Sequence, residues 1–268
     1  MRKRLVALTT LIFLSVASAL PQNSEDSKPE TKTVPRYVNI ETLSRDERLP
    51  KPVRETLKDS AVMVLCFRPN ELNKSKENPT GVKLGMYGGG FVIDDHIVAT
   101  AYHILANQYA NGYYVDKEYE GIFVSYDGAT VFQAEFLGGD AKKDIAILKI
   151  SDTDKQKFDK KSAVLKSDYE KELNLPWYAF GFISFKSLVY RKFDDFLGLS
   201  DDYEETDEPV TVGILSDNVE SGFSGSPILD QNGICRGMLL SGDKVSSTLG
   251  RPEDILVVFA SVIAENKK

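Results

Sequence analysis

The sequence predicts an all-β protein of antiparallel strands, arranged as a barrel or a sandwich. Short β-branched and aromatic runs recur from Ala61 onward, Gly, Asp and Asn turns separate them, and helical periods are few. The 268 residues, 42% hydrophobic and 27% charged, suffice for one large domain or two small ones. That composition excludes collagen-like, disordered and disulfide-scaffold classes.

The chain begins with Met1, the basic Arg2-Lys3-Arg4, a largely apolar run from Leu5 to Val16 and the small residues Ala17-Ser18-Ala19. This is the pattern of a cleaved export signal over residues 1–19. The run is too short to cross a hydrocarbon core of ~30 Å, and no cysteine follows the cleavage site to carry a lipid. The mature protein is therefore expected in the periplasm or outside the cell, with no membrane attachment once the signal is removed. Residues 20–54, rich in Pro, Ser, Glu and Lys, are expected to form a solvated, flexible leader.

The folded domain is expected over 55–268. A short helix is expected at Arg54 to Lys58, and a first group of strands, within about 55–155, at Ala61 to Phe67, Gly89 to Ile93, Ile97 to Thr100, Ile122 to Tyr126, Thr130 to Leu137 and Asp144 to Ile150. A Lys- and Asp-rich connector near 151–174 leads to a second group, within about 175–260. Its strands are Trp177 to Ile183, Ser187 to Lys192, Val210 to Leu215, Ser226 to Leu229, Ile234 to Leu240 and Ile255 to Ala260. Ser261 to Lys268 is expected as a short C-terminal helix.

The net charge of −7, which becomes −10 without the signal, comes with no long basic run beyond the extreme N-terminus. Nucleic acid is not an expected partner, because phosphate binding draws on clustered Lys and Arg. The 2 histidines and 2 cysteines form neither a CxxC pair nor an HExxH motif, so no metal site is expected.

The sharpest signal is Glu220-Ser221-Gly222-Phe223-Ser224-Gly225-Ser226-Pro227-Ile228-Leu229. A serine among glycines just before a strand sits where backbone amides can converge beside an exposed hydroxyl and stabilise an oxyanion. By itself the segment is equally an ordinary Gly/Ser turn. An α/β-hydrolase elbow, G-x-S-x-G, does not fit, since Ser226 stands where its second glycine is required.

A serine nucleophile needs a base, most often an imidazole. His103 ends the strand-like Val98-Ala99-Thr100-Ala101, whereas His96 lies in the polar turn Asp94-Asp95-His96 and is expected to be solvated. A carboxylate must then orient the imidazole. Asp144 opens the apolar run Ile145 to Ile150, where an unpaired charge would be costly. Taken singly, His103 reads as a structural histidine and Asp144 as a turn residue.

Together they stand in the order His, Asp, Ser, with His103 and Asp144 in the first half of the domain and Ser224 in the second. With Gly89-Gly90-Phe91-Val92-Ile93, Thr100-Ala101-Tyr102-His103, Asp144-Ile145-Ala146 and Gly222 to Pro227, the chain resembles the trypsin-like serine endopeptidases over about 55–263. It is most similar in style to the exported bacterial HtrA-type and glutamyl-endopeptidase-like branches, without a PDZ domain. The resemblance implies two six-stranded antiparallel β-barrels with a short C-terminal helix, and a triad across the cleft between them. It also implies Ser224 as nucleophile, His103 as general base and then acid, Asp144 as its orienter, and the N–H groups of Gly222 and Ser224 as oxyanion hole. The substrate is then a protein or peptide, hydrolysed through an acyl-enzyme with no cofactor.

Several residues depart from the family pattern. Phe223 stands where digestive relatives carry the Asp that pairs with a new N-terminus and exported relatives carry Asn, and the oxyanion hole is expected to be either preformed or completed by substrate. Asn218, at the position of the primary-pocket base, is neutral, and no histidine is spare for a glutamyl pocket, so apolar or small side chains before the scissile bond are expected. The stretch Met238-Leu239-Leu240-Ser241-Gly242 is expected to pair with substrate backbone, with Leu240 and Ser241 contacting it. The eight acidic residues between Asp194 and Glu208 are expected to form a solvated loop. Cys66 and Cys235, in different barrels, are expected as buried thiols, although export permits a disulfide. The oligomeric state is left open. The alternative function is a non-catalytic peptide-binding or sensor module on the same scaffold.

Overall fold

The computed structural model describes residues 36–37, 39–69, 82–109, 112–115, 119, 121–167, 175–184, 187–202, 210–217, 219–242 and 246–267. The expected export signal over residues 1–19 falls outside the described residues. The described chain opens with strand β1 (Arg36–Tyr37), helix α1 (Ile40–Leu43) and helix α2 (Lys51–Ser60). There follow β2 (Ala61–Pro69), β3 (Val82–Asp94), β4 (Ile97–Ala101), the small hairpin β5 (Ala106–Tyr109) and β6 (Gly112–Val115), then β7 (Gly121–Ser125), β8 (Val131–Asp140) and β9 (Ile145–Ile150). The strands β2-β3-β4-β9-β8-β7 close into a six-stranded antiparallel barrel, as expected.

Strand β2 shows why the run at 61–67 is apolar throughout. Val62, Val64 and Cys66 point into the barrel interior with Val92, Val98, Val124 and Leu148. The alternate residues Ala61, Met63 and Leu65 join a second cluster with Tyr178, Phe180 and Met238 from the other half of the domain. The two-residue period of a strand thus feeds two cores, one inside the barrel and one in the seam between halves.

The second half comprises β10 (Trp177–Ser184), β11 (Ser187–Phe193), β12 (Phe196–Asp202), β13 (Val210–Leu215), β14 (Pro227–Leu229), β15 (Cys235–Gly242) and β16 (Ser247–Gly250), followed by helix α3 (Pro252–Glu265). With β1 they form an eight-stranded antiparallel sheet in the order β1-β11-β10-β14-β15-β16-β13-β12. It is the second barrel of the expected double-barrel fold in half-closed form. Strand β1 occupies the edge of β11, with Arg36 opposite Val189 and Tyr37 opposite Leu188, and β12 extends the opposite edge beside β13. Trp177, Phe193, Phe223, Leu239 and Leu249 fill its interior.

Three expectations need correction. The run Ile255 to Ala260 is not a strand but the middle of α3, which begins at Pro252 and carries Glu253 and Asp254 in its first turn. Ile255, Val258 and Val262 fall on one buried face at helical spacing, and Pro in the first turn with acidic residues beside it favours a helix start. The acidic run is not all loop, because its first part forms β12, whose Leu197 and Leu199 face solvent; residues 203–209 lie outside the described set.

Nor is the leader a spacer throughout. Ile40, Leu43 and Leu49 are almost fully buried in the seam together with Val53 and Leu57 of α2. Asn39 caps α1 by accepting the Thr42 N–H at 2.8 Å and donates to the Asp127 carbonyl in the first barrel, and Thr56 donates to the Gly233 carbonyl in the second half. The few large apolar residues of this segment are spaced to reach one seam, which an average over its polar composition hides.

Candidate active site

Strand β4 is buried along its whole length and ends at Ala101, opposite Ile145 of β9. That register sets the next residues outward, the Tyr102–Ile104 turn and Asp144, side by side at the mouth of the barrel. The Tyr102 N–H donates to the Asp144 carbonyl at 3.0 Å. The His103 N–H donates to Asp144 Oδ1 at 2.8 Å, and His103 Nδ1 donates to Oδ2 at 2.7 Å. Asp144 holds this grip with φ of 53°, left-handed for a residue with a side chain, a conformation that persists only where surrounding contacts over-determine it.

Burial alone pulls the His103 imidazole down, but the hydrogen bond to Asp144 and its negative charge outweigh that, and the net pKa is raised above the usual 6.5. The carboxylate fixes the tautomer with the proton on Nδ1, so Nε2 is the basic nitrogen.

The serine turn is held from both halves. The Gly89 N–H on β3 donates to the Ser224 carbonyl at 2.7 Å, the Phe182 N–H to the Gly222 carbonyl at 3.0 Å, and the Gly225 N–H to the Leu239 carbonyl at 2.7 Å. Gly222 has φ of 100°, and a Cβ there would lie 2.1 Å from the Phe182 carbonyl oxygen, so only glycine fits. Among the described residues, neither the Gly222 nor the Ser224 N–H donates to a protein oxygen.

Phe223, unusual for the family, is completely buried. Its ring lies where a side chain at Gly181 would stand, 2.1 Å from that Cβ position. The position used for an ion pair in digestive relatives is here a hydrophobic anchor that fixes the turn from below.

His103, Asp144 and Ser224 line a single cavity of about 450 Å³. Leu240 and Ser241 also line it, while Asn218 lies outside the described residues. Strand β14 pairs with β15 only as far as Met238, and a bulge at Leu240 re-aims the backbone before Ser241 pairs with Thr248. Val210, Val212 and Val219 add apolar wall and the Ser241 and Thr248 hydroxyls bond at 2.7 Å. Val210 and Val212, from β13, carried no signal in the sequence, since a β-branched strand residue reads the same in a core or in a pocket.

His96 takes no part in this cavity and is not solvated as expected. Its side chain is mostly buried against Phe158, and Nε2 donates to the Lys155 carbonyl at 3.0 Å. Cys66 and Cys235 are both buried thiols not joined by a disulfide, and burial pushes the Cys235 thiol up to about 12.

Residues 88–238 match the profile of the trypsin-like peptidase domain. The chain is 32% identical over 123 residues to a probable periplasmic DegP-like serine endoprotease of Rickettsia conorii. That match covers 44% of this chain and 21% of the relative, so this chain spans only a small part of the relative's length. The active form of the Rv3671c protease from M. tuberculosis superposes with a TM-score of 0.58 at 19% identity, over 91% of this chain and 94% of that one. Its inactive form gives 0.55 at 18% identity, over 79% and 92%. These likenesses show the fold, and the profile, which spans more than half of the chain, shows the kinship: the chain belongs to the trypsin-like peptidase family, a family of serine endopeptidases.

Proposed function

We propose that the protein is an exported serine endopeptidase in which Ser224 attacks the scissile carbonyl, His103 takes its proton and returns it to the leaving amine, and Asp144 orients the imidazole and stays ionised. The N–H groups of Gly222 and Ser224 then bind the oxyanion, and water releases the acyl-enzyme through the same imidazole. The observation that carries this reading is the two-point grip of Asp144 on His103 at the wall of the cavity that Ser224 also lines.

The turn is held by Phe223 from below and by Gly89 from the other barrel, which supports an oxyanion hole formed before substrate arrives. A peptide would pair with the backbone of Leu240 to Gly242, and the walls of Val212, Val219 and Leu240 suit an apolar side chain before the scissile bond. The signal-like first 19 residues and the periplasmic relative support export.

A fluorophosphonate probe tests the chemistry. Labelling of the wild type that is lost in Ser224→Ala is the expected result; a folded wild type that takes up no probe would mark the protein as a peptide-binding module instead. N-terminal sequencing of the protein recovered from export-competent cells should begin at Leu20.

A further inference from the structure

We propose that Asp254, in the first turn of α3, is a positioning residue for the active site: it holds Lys143, and through Lys143 the loop that presents Asp144 to His103. This role rests on the assignment of His103, Asp144 and Ser224 made above.

Asp254 is nearly buried, at 7% exposure. Its Oδ1 accepts Lys143 Nζ at 2.7 Å and its Oδ2 accepts Arg251 Nε at 2.7 Å. A carboxylate that has left water needs such partners on both oxygens, and one of the two lies 111 positions away in the chain, next to Asp144. The other end of the same loop is fixed by Asp140, whose Oδ1 accepts the N–H groups of Lys142 at 2.9 Å and Lys143 at 3.1 Å. The loop is thus tied at its start by the Asp140 carboxylate and at its end by the Lys143 side chain.

Such a tether has something to hold. Asp144 follows directly with a left-handed backbone, and relaxation to a commoner conformation would swing its carboxylate off both His103 donors. Helix α3 is a firm post for it. Although it follows the last strand of the second half, it packs on the first barrel: Val258 and Val262 are buried in the seam, Val262 fills the space beside Gly138, and Asn266 donates to the Leu137 carbonyl. Lys143 lines the active cavity on one side and a second cavity beneath α3 on the other.

The charge balance gives a specific signature. Lys142, Lys143 and Glu220 line the active cavity together with His103 and Asp144; behind the loop stand Asp140, Glu265, Arg251 and Glu253. Removing the Asp254 charge leaves Lys143 uncompensated beside Asp144 and slackens the loop, and both changes lower the pKa of His103. An Asp254 that served only the start of its own helix would affect thermal stability and leave the imidazole unmoved.

With only 2 histidines in the chain, proton NMR resolves His103, assigned by difference against His96→Asn. Asp254→Asn is expected to lower the His103 titration midpoint by roughly 0.5 pH unit or more and to slow fluorophosphonate labelling about 10- to 100-fold, and Asp254→Glu to restore part of both. A folded Asp254→Asn with an unmoved midpoint overturns the proposal. Should that variant not fold, Lys143→Gln serves: the low-field resonance of the His103 Nδ1 proton shifts upfield if the tether matters, and its persistence unchanged overturns the proposal equally. A wild type that takes up no probe sinks the assignment of the triad, while both NMR readouts still decide the role of Asp254.

Discussion

The main-chain N–H of Gly89, on β3 of the first barrel, donates to the carbonyl of Ser224 in the second half at 2.7 Å. The strand comes this close because it carries no side chain there: a Cβ on Gly89 would lie 1.9 Å from Ser226 Oγ and 2.8 Å from Ser226 Cα. Gly89→Ala should therefore push the serine turn away from the imidazole across the seam. A displacement near 1 Å costs roughly 100-fold in rate, so probe labelling should slow by that order while the protein stays folded by circular dichroism. Labelling at the wild-type rate would show that the seam does not set the geometry.

The raised pKa of His103 fixes the direction of the pH dependence. Attack needs the neutral imidazole, so kcat/KM should fall on the acid side through a midpoint above 6.5, the unperturbed value. Stability runs the opposite way. A group whose folded pKa is raised adds stability that is fully present below the unfolded value and is lost as pH rises through the folded one. Denaturant midpoints for wild type and His103→Ala should converge, so far as this residue is concerned, as pH rises from 6 to 9. An acid limb below 6.5 would contradict the balance of burial against Asp144.

Asp144→Asn keeps the shape but loses the charge and can present an amide N–H to the ring nitrogen. A wrong tautomer in such a triad lowers kcat by about 10⁴. The acid limb should also move to lower pH, because burial, which pulls His103 down, is then opposed by less. Steady-state rates across pH on a peptide with an apolar residue before the scissile bond measure both effects.

Phe223 is a packing anchor beside Ser224, the proposed nucleophile. Truncation to Ala in a completely buried site should cost about 3–5 kcal/mol in urea denaturation. Labelling should slow as well, since the ring holds the Gly222–Ser224 peptide against β10. A loss below 1 kcal/mol would mean that the turn is fixed by its hydrogen bonds alone.

Leu43 tests the leader as a strap. It is fully buried in the seam although it lies in a polar stretch. Leu43→Ala should destabilise by about 2–5 kcal/mol, measured by urea denaturation. A substitution in a true spacer would change stability by no more than ~0.5 kcal/mol.

The candidate site residues were legible because each needs a local setting that spacing along the chain records. His103 follows a buried strand, Asp144 opens one, and Ser224 sits among glycines that a tight turn requires. Most strands were legible for the same reason, since a two-residue period and a turn are local. What the sequence alone determined is this set of local settings: the strands, the candidate residues and the family they resemble. Helix α3 was missed in its first half because Ile255 to Ala260 is apolar enough to pass for a buried strand, and run length could not separate the two.

Tertiary structure alone decided everything that depends on distant parts of the chain meeting. Ile40 and Leu43 find a seam formed by residues far along the chain, β1 takes the edge of β11, and Asp254 reaches Lys143 across 111 positions. No periodicity marks such encounters, because burial of a side chain or pairing of a charge is a property of the space around it, and that space exists only once both halves have closed on each other.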